Sequence, residues 1–203
     1  MESDTYLTIK AFSQGIYKEK GSRFIALAYP VSTREEIKNI LDEVRKEHHS
    51  AKHHCFAWML GRERETYRAS DDGEPSGSAG KPILGQINSH ELTDILVVVV
   101  RYFGGKLLGV SGLINAYRSA AESAISSSEI TELHIQDHYE LVFPYSLMNV
   151  VMKAIKDDEI SQSKQQFETV CRMTISFRRS ARERILSSLS RISGLKYRQT
   201  DTP

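Results

Sequence analysis

The spacing of apolar positions changes several times along the chain, and each change marks an element. Leu7 and Ile9 alternate with polar neighbours, and residues 23–29 read as a strand ended by Pro30. The period then lengthens: Ile37, Ile40, Leu41 and Val44 share one helical face. Ser32 or Thr33 is placed to cap that helix, with Glu35 and Glu36 complementing its dipole. Residues 54–60 predict a strand, 61–63 a turn and 64–69 an antiparallel return.

Residues 70–80 hold almost no large apolar side chain, and composition by itself predicts a flexible linker there. Pro82 opens a short helix with Ile83, Leu84 and Ile87 on its inner side. Residues 95–100 are apolar at every position, which predicts a central strand covered on both faces. Arg101-Tyr102-Phe103-Gly104-Gly105 breaks it, and residues 111–126 follow as a helix whose packing stripe is Leu113, Tyr117, Ala120, Ala121 and Ala124. Past a polar stretch the pattern restarts as strand 138–143, helix 145–155, strand pair 161–168 and 169–177, helix 181–192 and strand 195–199, with Gly194 suited to end the last helix. That β-α-β-β-α-β order predicts a split-βαβ arrangement, a four-stranded sheet with both helices on one face. The expected organisation is therefore α+β, with one domain over 1–132 and a ferredoxin-like domain over 133–203.

A chain of 203 residues fits one large domain or two small ones. Net charge is only +1, which argues against coating nucleic acid by bulk charge. The balance is uneven, with 11 basic against 8 acidic residues from position 133 onward and 16 against 18 before it. Cys55 and Cys171 sit in apolar, strand-like segments and read as buried thiols of a reducing compartment. The longest apolar run is far shorter than the roughly 20 residues a bilayer requires. No basic segment followed by an apolar run opens the chain. The expectation is a cytoplasmic protein with no membrane partner.

Three groups of residues could carry chemistry. Glycines fall at 73, 77, 80, 104, 105, 109 and 112, where backbone amides could converge on an anion. Gly104 and Gly105 lie between a buried strand and a helix N-terminus, with Arg101 and Lys106 beside them; turn geometry alone would also call for glycine. Neither a Walker A loop nor G-x-G-x-x-G is present, since Pro75 and Pro82 occupy positions the former needs. Asp71, Asp72 and Glu74 are crowded enough to need a cation, an arginine or backbone donors. They suit a divalent metal, acid–base chemistry, or a solvated loop whose Asp caps a turn. His48, His49, His53, His54 and Cys55 lack zinc-site spacing. His53 and His54 point to opposite faces of a strand, so only one of them can share a cleft with Asp71. No serine sits in a nucleophile motif, and Cys55 has the context of a core residue.

Two ordered stretches carry a resemblance: Asp71-Asp72-Gly73-Glu74-Pro75-Ser76-Gly77-Ser78-Ala79-Gly80-Lys81-Pro82, and Val97 through Arg101-Tyr102-Phe103-Gly104-Gly105-Lys106-Leu107-Leu108-Gly109. With Lys20-Gly21-Ser22-Arg23-Phe24, Ala51-Lys52-His53-His54-Cys55 and Gly112-Leu113-Ile114-Asn115-Ala116-Tyr117, the chain resembles the IMPACT family, bacterial YigZ-type branch. The resemblance implies an N-terminal domain like the second domain of ribosomal protein S-five. It implies a C-terminal domain like the fifth domain of elongation factor G. Eukaryotic members regulate translation through a kinase-linked partner, using a further domain with no counterpart in these residues, so that mechanism is not expected here. Asn115 departs from the pattern, since many bacterial members carry Arg there. His53, Asp71, Asp72, Glu74, Arg101, Gly104 and Gly105 match the family's characteristic positions.

The leading expectation is an RNA- or ribosome-binding accessory of translation, non-enzymatic, with no cofactor, no metal and no DNA partner. Its cleft would be lined by His53, Asp71, Asp72, Glu74, Arg101, Gly104, Gly105 and Lys106. The rival is a hydrolase or transferase using His53 with Asp71 or Glu74, with or without a divalent metal. A third reading is a module that docks a regulatory protein partner.

Overall fold

A computed structural model describes residues 4–158 and 160–200. The chain is mixed α+β and divides into two compact units, one of Thr5–Leu133 and one of His134–Pro203 with Met1–Asp4.

The Thr5–Leu133 unit begins with β1 (Thr5–Ile9), β2 (Ser13–Glu19) and β3 (Ser22–Pro30), followed by α1 (Arg34–Glu47). Thr33 caps α1 by accepting from the Glu36 amide, and the Glu36 carboxylate reaches back to the Thr33 amide. Next come β4 (His53–Leu60), β5 (Thr66–Ser70), α2 (Gly80–Ser89), β6 (Ile95–Tyr102), α3 (Gly109–Ser126) and β7 (Ile130–His134). β7 pairs with β1. The main sheet has the order β2-β3-β6-β4-β5, and its neighbouring strands are antiparallel.

Side-chain alternation separates two cores on this sheet. Phe24, Ala26, Cys55, Ala57, Val97 and Val99 face α2 and α3 with Ile83, Ile87, Tyr117 and Ala121. Ile25, Leu27, Phe56, Trp58, Leu96 and Val98 face α1 with Ile37, Leu41 and Val44. β6 reads as continuously apolar because each face of it is covered. β2 escapes the periodicity reading for a complementary reason. Its inward positions are Ser13, which donates to the Ala124 carbonyl, and Gly15, where an added Cβ would sit 2.3 Å from the Ala124 amide nitrogen. Small residues there let α3 approach the strand backbone, and small residues carry no hydrophobic signal.

In the second unit β8 (Gln136–Pro144) and α4 (Met148–Asp157) are followed by β9 (Ser161–Gln166), β10 (Val170–Arg178), α5 (Arg182–Ser190) and β11 (Lys196–Thr200). The sheet order β11-β8-β10-β9 is that of the split-βαβ arrangement. Val151, Ile155, Ile185 and Leu189 from the two helices pack on Tyr139, Leu141, Phe143, Met173 and Ile175. β9 is an edge strand of polar, exposed residues whose pairing to β10 shifts register between Arg172 and Thr174. Among the described residues no helix is long and apolar enough to cross a membrane.

Candidate functional site

Strand register assembles the site. Arg101, near the end of β6, lies opposite Phe24 on β3 and His53 on β4. All three therefore share the sheet face that carries α2 and α3, whereas His54 turns to the α1 face and its Nε2 approaches the His48 carbonyl. Burial holds the His54 pKa below its ordinary value, against the opposing pull of the His48 carbonyl and Asp72.

The segment from Asp71 to Gly80 is ordered by its own side chains. Both Asp71 oxygens accept backbone donors, from Gly77 at 2.8 Å, Ala79 at 3.0 Å and Gly80 at 2.8 Å. Burial alone would raise the Asp71 pKa, but these three donors outweigh it and leave the carboxyl below its ordinary value. Asp72 accepts from the His54 amide at 2.7 Å and lies 3.8 Å from the Arg45 guanidinium. The Asp72 carbonyl accepts from His53 Nδ1 at 2.9 Å, which fixes that tautomer and leaves Nε2 as the acceptor of the neutral ring.

Glu74 goes furthest inward. Its side chain is 4% exposed and takes Arg101 Nη1 at 2.6 Å, while Tyr117 donates to the same oxygen at 2.8 Å. Arg101 is itself only 7% exposed and stands over the Phe24 and Phe103 rings, with its Nε donating to no described group. Behind them, Cys55 Sγ lies 3.3 Å from Tyr117 Oη and 2.9 Å from the Asp71 carbonyl. Burial pushes the Tyr117 phenol far above its ordinary pKa and the Cys55 thiol up to about 12. A thiol held there is almost wholly protonated near neutrality, so Cys55 is not a nucleophile. Iodoacetamide at pH 8 should therefore leave Cys55 unlabelled in the native chain and modify it readily in urea, as read by peptide mass spectrometry. Rapid native labelling would contradict this burial.

The acidic segment and the glycine turn thus meet through the Glu74–Arg101 pair. The open cleft beside that pair, about 510 Å³, is lined by Ser50, Lys52, His53, Arg101, Tyr102, Phe103 and Leu107. His53 and Arg101 reach it, but the three carboxylates are committed to internal partners and do not line it. Gly104 meets a packing need: its amide donates to Ser22 Oγ, and an added Cβ would lie 1.9 Å from the Gly21 carbonyl carbon. Gly105 takes φ +83° in open space. Lys106 is exposed on the same loop. Asn115 donates to Tyr17 Oη.

Sequence reasoning missed Phe103 and Leu107, which are 55% and 85% exposed. The available signal was their position: large apolar residues flanking Gly104-Gly105, beyond the end of the buried strand. It also missed the neighbouring depression lined by Lys18, Glu19, Lys20, Arg23, Tyr102 and Phe103. Among the described residues no three His, Cys, Asp or Glu side chains gather as a metal site.

The profile described as the Impact N-terminal domain matches residues 20–125. The chain belongs to the IMPACT family. The IMPACT family member YvyE of Bacillus subtilis is 31% identical over 76% of this chain and 71% of its own length. The IMPACT family member YigZ of Escherichia coli is 40% identical over 59% of this chain and 63% of its own. A crystal structure of a hypothetical protein superposes with a TM-score of 0.76 at 27% identity, covering 99% of this chain and all of the other. The residues that build the IMPACT-matched segment include every member of the network from Lys20 through Tyr117, so the Glu74–Arg101–Tyr117 cluster lies wholly inside the family's domain.

Proposed function

We propose that this IMPACT family chain binds single-stranded RNA at the Phe103 loop and acts as an accessory of translation, with RNA of the ribosome as the natural ligand class. One observation carries the reading: Phe103 is an exposed ring that lines two adjacent depressions, each bordered by cations. Lys18, Lys20 and Arg23 stand on one side with Glu19 among them, Lys52 stands on the other beside the Glu74-paired Arg101, and Lys106 follows in the same loop. An exposed aromatic ring flanked by cations is how single strands are held, with a base on the ring and phosphates on the rim. One further feature favours an anion: α3 starts at Gly109 without a side-chain cap hydrogen bond, which leaves its first amides for another acceptor. The hydrolytic alternative needs a carboxylate facing the cleft, and Asp71 and Glu74 are engaged elsewhere. The translational role rests on the family resemblance.

Fluorescence anisotropy with a labelled oligouridylate tests this. With three or four phosphates neutralised, log K should fall against log salt with a slope of about −2 to −3. Phe103→Ala should weaken binding roughly 5- to 150-fold, matching about 1–3 kcal/mol for one stacked base, with the fold retained by circular dichroism although one side of Arg101 is uncovered. An affinity indifferent to salt, or equal for Phe103→Ala, would overturn the reading.

A further inference from the structure

On the opposite side of the main sheet, a groove runs between α1 and β5, and none of the residues discussed above as RNA contacts belongs to it. Its floor is made by Phe56 and Trp58, which are 5% and 7% exposed. Arg34, Lys38 and Arg68 stand along its sides, and Tyr67, 62% exposed, forms part of the rim. Arg34 and Lys38 fall one turn apart on the groove side of α1. The Arg34 guanidinium lies 5.7 Å from the Trp58 ring centroid and that of Arg68 lies 6.0 Å from Phe56. Planar guanidinium groups resting on rings are pre-oriented, with their donor edges free.

Among the described residues, Arg34, Lys38 and Arg68 form no ion pair, in contrast to Arg45 at the groove's end, which faces Asp42 and Asp72. Three uncompensated cations over an apolar floor ask for carboxylates or phosphates. Two features select carboxylates on a peptide. The floor rings are nearly fully buried beneath guanidinium groups, so no base can stack on them. Glu35, Asp42, Glu43 and Glu47 also lie on α1, so the cations form a short spot and not the continuous track a polyanion follows. β5 adds a third argument. It is an edge strand, and among the described residues no strand pairs with its outer side; Gly80 packs closely against the backbone of Ser70 at one end. An exposed edge of this kind accepts an extended peptide by backbone pairing.

We propose that the α1–β5 groove docks an acidic, extended segment of a partner protein. The segment adds as a strand beside Thr66–Ala69 and places carboxylates on Arg34, Lys38 and Arg68, each able to form a charge-assisted hydrogen bond.

Trp58 is the chain's single tryptophan and reports on the groove floor. A ten-residue peptide alternating Glu with Val should change its fluorescence saturably, whereas the same peptide with Lys in place of Glu should not. The variant Arg34→Glu with Arg68→Glu changes exposed side chains only, keeps the native melting temperature, and should weaken the acidic peptide at least about tenfold. Amide hydrogen exchange at Thr66–Ala69 should slow on binding. The proposal is overturned if the acidic peptide gives no saturable change, if the double variant binds it equally, or if those amides are unaffected. It is also overturned if an oligouridylate occupies the groove as tightly and with the same sensitivity to Arg34 and Arg68. Because Phe103→Ala leaves this groove untouched, its success or failure is separate from that of RNA binding.

Discussion

Glu74→Ala should lower the stability of the Thr5–Leu133 unit by about 3–5 kcal/mol, the usual penalty for removing one member of a buried ion pair. The expectation follows from where the other partners are left. Arg101 is enclosed at 7% exposure between two aromatic rings, so it cannot swing out to be hydrated. Tyr117, fully buried, loses the acceptor of its hydroxyl proton. Glu74→Gln keeps an acceptor for Tyr117 and removes only the charge, so it should fall between Glu74→Ala and the native chain. Replacing the pair together, as Glu74→Met with Arg101→Met, should restore much of the loss, because apolar groups of similar volume remove the uncompensated charge. Urea unfolding at constant m separates these cases. A loss below about 1 kcal/mol for Glu74→Ala would mean that Arg101 finds a route to water.

Gly104→Ala should be comparably damaging, at about 3 kcal/mol or more. The added Cβ would lie 1.9 Å from the Gly21 carbonyl carbon and 2.2 Å from both the Gly21 oxygen and the Ser22 nitrogen. These are backbone atoms on the next loop, so no rotamer change relieves the overlap. The β2–β3 turn and the Phe103 loop would have to separate, losing the Gly104 amide bond to Ser22 Oγ. Gly105→Ala is the control. It has open space around it but φ +83°, so only left-handed strain applies, about 1–2 kcal/mol. Thermal unfolding of the two variants should order them Gly105→Ala above Gly104→Ala. Equal melting temperatures would contradict the close approach.

Much of the fold was legible in the sequence because its strongest signals are long and unopposed. The apolar run at 95–100 has one satisfactory reading, a strand buried on both faces, and Ile37, Leu41 and Val44 mark a helix face with its Thr33 cap. The family's motifs were equally legible. β2 was not, because Ser13 and Gly15 face inward where α3 crosses. The segment at 70–80 also misleads by composition: it lacks apolar side chains yet is held by one carboxylate with three amide donors. At the site, alternation correctly set His53 and His54 on opposite faces, but the acidic residues could not be assigned. Spacing cannot tell a carboxylate that lines a cleft from one that turns inward to an arginine two strands away in space. That distinction depends on the β3–β6–β4 register, which brings Arg101 beside His53 and which no local pattern specifies.

The place of β6 in the sheet also bears on how the chain comes together during synthesis. β2–β3 and β4–β5 are two hairpins that touch in the sheet only through a strand made later than all four. Until Ile95–Tyr102 has emerged, β3 and β4 each present a bare apolar edge with no neighbour, and a growing chain halted at that stage would be a sticky intermediate. Insertion of one strand then closes both edges together. The sheet therefore has a single late joining event, and anything that delays it keeps two apolar strand edges open to other chains.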